Sequence, residues 1–500
     1  MDDTISDKSR KESSGAELHE HINDDRGTEK ADTTSQPHND PQLDKRINRK
    51  FDLHIVPILF GLWLFAFVDR ANIGNARIDG LAEDLKLTGT KFNVVLAVFY
   101  VPYICVDVPS NLVLKYFQAG YYLPSLLIGW GLVATFTGFV KSYEGLIAAR
   151  FFLGLCEGGL LGGMIIYLAM FYCRHEIMKR IGFFYSAAPL SGAFGGLLAT
   201  GLAQISTPGY NGWPFIFFIE GAITVSYGIL VLFFLPHTPN DAKFLPENER
   251  RYATNRLRLD AHGAANTDAK DEEFSWTSVK RALLNWNTLL MSFDFFLLIT
   301  PIYSYSLFLP TIIKALGFDP VIAQLLTVPP NMCGFFSVLL ACQASDKYQK
   351  RGMSMLIGLA VAIAGYIMLI STPNVWTQYG GTFLVGAGIF PCSPLIMGWL
   401  ANNLAPHYVR ATGTGFQIMV ANFAAFVATF TYIETDAPGY ITGHAINIGA
   451  LALALLTTTI LIFYNTWENK QRDGGKRDYR LQEEDESTLG YRHPSFRYTV

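Results

Sequence analysis

Two pairs of ionisable residues lie inside otherwise apolar stretches of the sequence. Asp69 and Arg70 are neighbours in FAFVDRANIGNAR, and Arg150 and Glu157 stand seven residues apart in AARFFLGLCEGG. Seven residues are nearly two helical turns, so Arg150 and Glu157 are predicted to share one face of a helix. An ionised side chain in lipid costs roughly 2.5–3.5 kcal/mol on insertion scales, so all four need partners or a water-filled cavity.

The chemistry that suits these four side chains is the binding of an anion together with protons. Arginine stays charged at any cellular pH and offers a planar fork that fits a carboxylate. A carboxylic acid shielded from water exchanges its proton near neutral pH. We therefore expect Arg70 and Arg150 to hold the anion, and Asp69 and Glu157 to take up protons that offset its charge. The alternative is a set of structural ion pairs, with Arg70 reaching the membrane surface.

Long apolar helices must position this chemistry. Half of the 500 residues are apolar and only 16% are charged, whereas soluble proteins average about 25% charged. A helix of about 20 apolar residues spans the ~30 Å of a bilayer core. Such segments occur at 52–78, 92–114, 122–140, 144–169, 180–204 and 214–235, and again at 284–309, 321–342, 354–371, 377–400, 411–433 and 441–464. The pattern predicts an all-α membrane protein with 12 transmembrane helices in two six-helix bundles.

The charged segments divide the chain further. The predicted parts are a disordered N-tail (1–50), an N-terminal bundle (51–235), a linker (236–283), a C-terminal bundle (284–465) and a charged, mostly disordered C-tail (466–500). The tails contain too few large apolar side chains to form a core. Lys and Arg are concentrated in the loops and tails on one side, which predicts that the linker and both tails are cytoplasmic.

The second bundle differs from the first in its polar groups. Asp294 is its one clear acid within the helices, and we expect it at the inner end of its helix or paired. The bundle otherwise offers neutral groups, namely Tyr303, Tyr305, Asn331, Gln417 and Asn422. The first bundle is therefore expected to handle charge, and the second to supply shape and hydrogen bonds.

Several classes of protein are disfavoured by what the sequence lacks. The six cysteines form no CxxC pair, which argues against a zinc site or a disulfide framework. There is no GxxxxGK[ST], HExxH or GxSxG motif, so an ATP-driven pump and common hydrolases are disfavoured. We expect no enzymatic activity, no metal or cofactor and no nucleic-acid partner.

Several stretches resemble the fungal allantoate permease family, in the anion:cation symporter branch of the major facilitator superfamily. They are FVDRANIGNAR, VPSNLVLKYF, ARFFLGLCEGG, RIGFFYSAAPLSGAFGGLLA, SLFLPTIIKALGF, ASDKYQKRG and the ending HPSFRYTV. The resemblance covers roughly residues 45–500 and implies the major facilitator fold. It also implies that Arg70 binds the substrate anion, that Asp69 and Glu157 are protonation sites, and that Arg150 is the partner of Glu157.

The resemblance implies roles for further residues. Tyr103, six residues before Pro109 in FYVPYICVDVPSN, corresponds to a substrate-contacting tyrosine, and Asn422 to a polar substrate contact. The superfamily's gating motif is absent after the second helix, where SNLVLKYFQAGYY contains no acid. It is better kept after the eighth helix, where the resemblance implies an inner-gate ion pair between Asp346 and Arg351.

The function implied by the resemblance is proton-coupled uptake of a small organic carboxylate, similar to nicotinate or allantoate, across the plasma membrane. The expected partners are the organic anion, protons and the lipid bilayer, and the protein is expected to work as a monomer by alternating access. Two alternatives stay open: an exporter of an acidic secondary metabolite, and a nutrient-sensing receptor that signals through its tails. Trimming both tails is expected to leave the uptake by a simple carrier intact.

Overall fold

The computed structural model describes residues 41–113, 117–202, 212–263, 276–405, 407–483 and 489–500. Every regular element in these ranges is a helix. Most of the predicted N-tail, residues 1–40, lies outside the described residues. The chain from Pro41 onward forms one compact unit.

The N-terminal bundle follows a short helix, α1 (Pro41–His54). Its six membrane-spanning segments are α2 (Val56–Ala76), α3 (Lys91–Val113), α4 (Ala119–Thr137), the pair α5 (Tyr143–Glu157) and α6 (Leu160–Ala169), the pair α7 (Arg174–Tyr185) and α8 (Ala187–Leu202), and α9 (Trp213–Phe234). The linker contains α10 (Glu247–Gly263) and α11 (Trp276–Leu283).

The C-terminal bundle repeats the six-segment plan. Its segments are α12 (Trp286–Ala315), the pair α13 (Pro320–Leu326) and α14 (Val328–Tyr348), α15 (Arg351–Ser371), α16 (Val375–Asn403), the pair α17 (His407–Asn422) and α18 (Ala424–Thr429), and α19 (Ile441–Asp473). Among the described residues, eleven stretches are long and apolar enough to cross a membrane, and the 23-residue α3 lies between the first two. The predicted fold of twelve spanning helices in two bundles is confirmed.

Local chemistry sets where several of these helices begin. Ser142 accepts the N–H of Gly145 at the start of α5, and Asn285 accepts the N–H of Asn287 at the start of α12. These side chains satisfy backbone donors that the first helical turn leaves unpaired. The caps fix where α5 and α12 start, and hence the height of the polar residues along them.

The helix that carries Glu157 is interrupted directly after this residue. Gly159 has a φ of +86°, which a residue with a side chain rarely adopts. A Cβ at Gly159 would also collide with the Ser110 side chain of α3. The interruption ends α5 at Glu157 and gives α6 a separate direction.

The first correction concerns residues 41–50, which the sequence assigns to a disordered tail. They belong to helix α1, which packs on the linker helix α10. Lys50 Nζ lies 2.6 Å from Glu249 Oε2, and Arg256 Nη1 lies 3.3 Å from Asp44 Oδ1. The composition alone suggests that these charges are solvated, but they are paired between α1 and α10. In addition, Ile47 and Phe51 on α1 are fully buried.

The prediction of a mostly disordered C-tail is also wrong for the described residues. Helix α19 continues to Asp473, and the last residues fold back against the bundle. The Thr499 carbonyl accepts the indole N–H of Trp399 at 2.8 Å, and the Thr499 N–H donates to Asn403 Oδ1 at 2.8 Å. Arg472 donates to the Phe496 carbonyl at 2.7 Å. The tail is ordered because side chains of α16 and α19 satisfy its backbone groups.

Both described ends of the chain lie at one end of the bundles, because both contact the linker. Asp44 pairs with Arg256 of α10, and the Tyr491 hydroxyl donates to the Arg281 carbonyl of α11. We call this the termini end, and the opposite end the far end.

At the far end the two bundles are in direct contact. Asn93 Nδ2 of α3 donates to the Thr429 carbonyl at 2.6 Å and to the Tyr432 carbonyl at 3.3 Å. The Gly89 N–H donates to Glu434 at 3.0 Å. At the termini end, a pocket of about 450 Å³ lies between the bundles, lined among others by Gly182 and Asp346. The interface is therefore closed at the far end and open at the termini end.

Candidate functional site

Arg70 and Glu157 form an ion pair that joins the first and fourth spanning segments. Arg70 Nη2 lies 2.5 Å from Glu157 Oε1, and the two side chains are 7% and 1% exposed. Two ions that are both removed from water are stable only while they remain paired. The resemblance implies Arg150 as the partner of Glu157, whereas the structure gives the direct contact to Arg70.

Aromatic rings surround the Arg70 guanidinium. Its central carbon lies 4.8 Å from the ring centre of Tyr103, 5.2 Å from that of Phe67 and 5.5 Å from that of Phe99. The rings of Tyr100 on α3 and Tyr303 on α12 lie 5.5 Å apart, so aromatic contact continues into the C-terminal bundle. Ring faces attract a guanidinium and hold it in place. Arg70 is thus fixed at the contact between the bundles.

Two small cavities border this cluster. One, of about 20 Å³, is lined by Arg70, Tyr303 and Asn331, and the other, of about 30 Å³, by Tyr103, Tyr303 and Asn422, among other residues. Each has room for only one or two water molecules, whereas small-molecule sites usually measure about 300–1,000 Å³. The site is therefore contracted around Arg70, and a small carboxylate enters only if the bundles move apart.

Asp69 and Arg150 are not among the residues that line these two cavities, although both are predicted to take part in binding the anion and its protons. Asp69 Oδ2 accepts the indole N–H of Trp130 on α4 at 2.8 Å. Arg150 interacts electrostatically with Asp69 and Glu157 and is absent from the lining of both cavities. Neighbouring residues on a helix point about 100° apart. Since Arg70 points to the interface, Asp69 must point into the bundle. A substrate contact from Arg150 stays a prediction.

Glu220 is a fifth buried acid or arginine of the N-terminal bundle, and the sequence interpretation missed it. It lies in the middle of α9, is 2% exposed, and has Asp69 as its charged neighbour. Neither carboxyl oxygen has a hydrogen-bond partner among the described residues. The criterion that finds Asp69, Arg70, Arg150 and Glu157 also finds Glu220, because it is the one charge in the apolar segment WPFIFFIEGAITVSYGILVLFF.

The C-terminal bundle buries Asp294 and His444 among its helices. Asp294 is fully buried and accepts the hydroxyl of Thr458 on α19 at 2.7 Å, so it pairs with a neutral donor. His444, which the sequence interpretation missed, is 4% exposed and lies 3.0 Å from the Tyr432 hydroxyl. Neither lines the two central cavities. Asp294 belongs to the packing of the second bundle, whereas His444 borders a separate pocket of about 170 Å³ beside Tyr440.

The predicted gating residues lie together at the termini end. Arg351 Nη2 and Asp346 Oδ1 are 3.8 Å apart, and both residues line the 450 Å³ pocket. The carboxylate of Asp346 is partly solvated, with 35% of its side chain exposed. A partly solvated ion pair of this kind contributes little energy and is easily broken. The Asp346–Arg351 pair can therefore separate when the pocket opens further.

The family model described as the Major Facilitator Superfamily matches residues 58–429. The chain belongs to this superfamily. This major facilitator is 36% identical over 461 residues to an uncharacterized transporter of Schizosaccharomyces pombe, which covers 92% of this chain and 91% of the relative. It is 32% identical over 467 residues to the MFS-type transporter efuF of Hormonema carpetanum, with 93% of each chain covered.

The fold comparison agrees. A bacterial homolog of the human lysosomal transporter Spinster, in an inward-facing and occupied conformation, aligns with a TM-score of 0.62 at 13% identity. The alignment covers 82% of this chain and 96% of that one. The protein is therefore a multi-pass membrane transporter with the major facilitator fold, and the contact between its bundles is where such a fold binds its substrate.

The far-end contact gives a prediction about how this major facilitator changes conformation. Replacing Asn93 with alanine removes two hydrogen bonds to backbone carbonyls of the other bundle. Leaving buried acceptors unpaired costs about 1–3 kcal/mol, so the population open at the far end is expected to rise about 5- to 150-fold. Spin labels on cysteines introduced at Thr88 and Thr435 measure this population by their distance. In the background protein, serine replaces the native cysteines that are not buried, namely Cys105, Cys156, Cys333 and Cys342.

Thr90→Ala is the matched control, because Thr90 is exposed in the loop before α3. The Thr90→Ala protein should show the same distance distribution between the labels as the wild type. If Asn93→Ala also keeps the wild-type distance distribution, the contact is not a lock.

Proposed function

We propose that this protein imports a small organic carboxylate together with protons, as a member of the allantoate permease family in the anion:cation symporter branch. The observation that carries the proposal is the position of Arg70. It is a buried guanidinium at the contact between the bundles, ringed by aromatic side chains and paired with the titratable Glu157. The proposal places the protein in the plasma membrane as a monomer with both termini in the cytoplasm.

The substrate class follows from what Arg70 already binds. The Glu157 carboxylate occupies the place on the guanidinium that a substrate carboxylate would take. A carboxylate fits a guanidinium because two N–H donors match its two oxygens. The faces of Phe67, Phe99 and Tyr103 suit a flat ring attached to that carboxylate. A pyridine carboxylate such as nicotinate meets both requirements.

Proton coupling follows from competition for one arginine. When a substrate carboxylate binds Arg70, Glu157 loses its ion-pair partner while its side chain stays buried. An unpaired buried carboxylate costs several kcal/mol, and protonation removes that cost. Binding of the anion therefore favours uptake of a proton at Glu157, and release of both returns Glu157 to Arg70.

The test is uptake of labelled nicotinate by proteoliposomes that contain the purified protein. A pH gradient that is alkaline inside should drive accumulation, and a protonophore should reduce it to equilibration. A reversed gradient should drive efflux of preloaded nicotinate. Accumulation that persists after the gradient is collapsed would rule out proton symport.

Glu157→Gln separates coupling from binding. The amide is uncharged and carries no titratable proton, so exchange of labelled for unlabelled nicotinate should continue while accumulation stops. A gradient of one pH unit supports about tenfold accumulation per coupled proton, and this factor should fall to about one. Glu144→Gln, an exposed acid in the first turn of α5, should keep wild-type accumulation. Proton-driven accumulation by Glu157→Gln contradicts the role of Glu157.

A further inference from the structure

We propose that Glu220 and Asp69 form a second proton site in the N-terminal bundle, behind the Arg70–Glu157 pair, and that this pair of acids shares one proton. The role of the site in transport rests on the proposed function, whereas its protonation does not. The site joins α9 to α2 and lies away from the two central cavities.

The first argument is the balance of buried charge. The N-terminal bundle buries three acids and two arginines in one connected group: Asp69, Glu157, Glu220, Arg70 and Arg150. If all five were ionised, one negative charge would remain without a counter-ion. An uncompensated charge in a low-dielectric interior is strongly unfavourable. One bound proton makes the group neutral.

The second argument is where that proton is held. Glu157 is paired with Arg70. Asp69 accepts a hydrogen bond from Trp130 and interacts with Arg150. Glu220 has neither a donor nor a cation among the described residues, and its charged neighbour is an acid. Two acids side by side cannot both ionise cheaply, so Glu220 carries the proton and Asp69 the charge.

The other surroundings of Glu220 offer no alternative counter-ion. Helix α4 presents Thr135, beside the neighbouring Gly221, and α8 contains no ionisable residue. The segment Arg77–Leu81 contains Arg77 and Asp79, but it meets α9 near Trp213. Trp213 is seven residues, about 10 Å, from Glu220 along the helix. In the part of the chain that the structure describes, the acid therefore meets no cation directly, and Asp69 is its charged neighbour.

Arg150 connects this site to the substrate site, because it interacts with both Asp69 and Glu157. When substrate displaces Glu157 and this residue gains a proton, Arg150 loses one anionic neighbour. Arg150 then stabilises the negative charge of Asp69 and Glu220 more strongly, which favours loss of their shared proton. An O–H bond therefore breaks at the acid pair as one forms at Glu157. The substrate then leaves one negative charge in excess, and a proton from solution neutralises it at the pair. One proton accompanies each monocarboxylate.

The deciding experiment measures protonation without substrate. Infrared difference spectra of the full-length protein in lipid nanodiscs, recorded during a pH titration, show the carbonyl stretch of protonated carboxylic acids. We expect Glu220→Gln to remove one such band, and Glu144→Gln and Glu220→Asp to retain it. Asp294→Asn assigns the band of the acid buried between α12 and α19. A spectrum unchanged by Glu220→Gln overturns the proposal.

Labelled nicotinate in proteoliposomes tests the link to transport. Glu220→Gln should retain exchange, and its accumulation under a gradient of one pH unit should fall about tenfold. A wild-type pH profile of uptake in Glu220→Gln refutes the coupling role. If the wild-type protein fails to take up nicotinate but Glu220→Gln still removes the band, the proposed substrate is wrong and the proton site stands.

Discussion

Replacing Arg70 with alanine is expected to abolish nicotinate binding and to destabilise the protein. The variant removes the guanidinium that faces the cavity and leaves the Glu157 carboxylate buried without its counter-ion. Breaking a buried charge pair at a binding site costs about 2–5 kcal/mol, which weakens binding by at least about 30-fold. The folded state should lose about 3–5 kcal/mol for the same reason. A scintillation proximity assay with labelled nicotinate measures the first effect, and the thermal midpoint measures the second.

Two further variants separate binding from folding. Arg70→Ala combined with Glu157→Gln should recover most of the stability, since a neutral amide needs no counter-ion, but it should not recover binding. Arg70→Lys keeps the charge and lacks the planar fork, so its affinity should fall between wild type and alanine. Unchanged nicotinate affinity in a folded Arg70→Ala protein would show that the anion binds elsewhere.

Deleting the last eight residues, 493–500, is expected to lower stability more than the deletion of an exposed tail would. The deletion leaves donors on Trp399, Asn403, Asn469 and Arg472 without their acceptors. Each unsatisfied buried group costs about 1–3 kcal/mol, although water can reach some of them. We expect a loss of at least about 3 kcal/mol, measured as a lower thermal midpoint in fluorescence-detected size-exclusion chromatography.

A point variant and a control make this result specific. Asn403→Ala removes the acceptor for the Thr499 N–H and hydroxyl and should reproduce part of the loss. Lys476→Ala changes an exposed side chain in the same region and should have no effect. A midpoint that is unchanged after deletion would mean that the tail contributes nothing to stability. Because the C-tail is part of the fold, trimming both tails does not distinguish a carrier from a sensor.

The fold could be predicted because the bilayer leaves few choices. Apolar segments of membrane-spanning length can only be helices, and a central polar linker divides twelve of them evenly. The site residues could be found for a related reason, because each isolated charge in such a segment requires an explanation. The same criterion applied to α9 identifies Glu220, so this residue too is predictable from the sequence.

The partners of these charges could not be read from the sequence. Whether Glu157 reaches Arg70 depends on how α5 is rotated against α2, and α5 ends directly after Glu157, before the positive φ of Gly159. The ordered structure of the C-tail could not be predicted for a different reason. Composition shows many charges but not that Glu468 is buried and contacts Arg472, Arg477 and Arg480.

The folded C-tail also constrains which surfaces can separate. It ties the last turn of α16, at Trp399 and Asn403, to α19 at Asn469 through backbone groups of residues 498 and 499. These helix ends therefore travel as one rigid body. Sliding is left to the seam between the bundles, where a Cβ at Gly182 would lie 3.4 Å from the sulfur of Cys342. We therefore expect the protein to hinge between its halves, with little internal flexing where the C-tail joins α16 to α19.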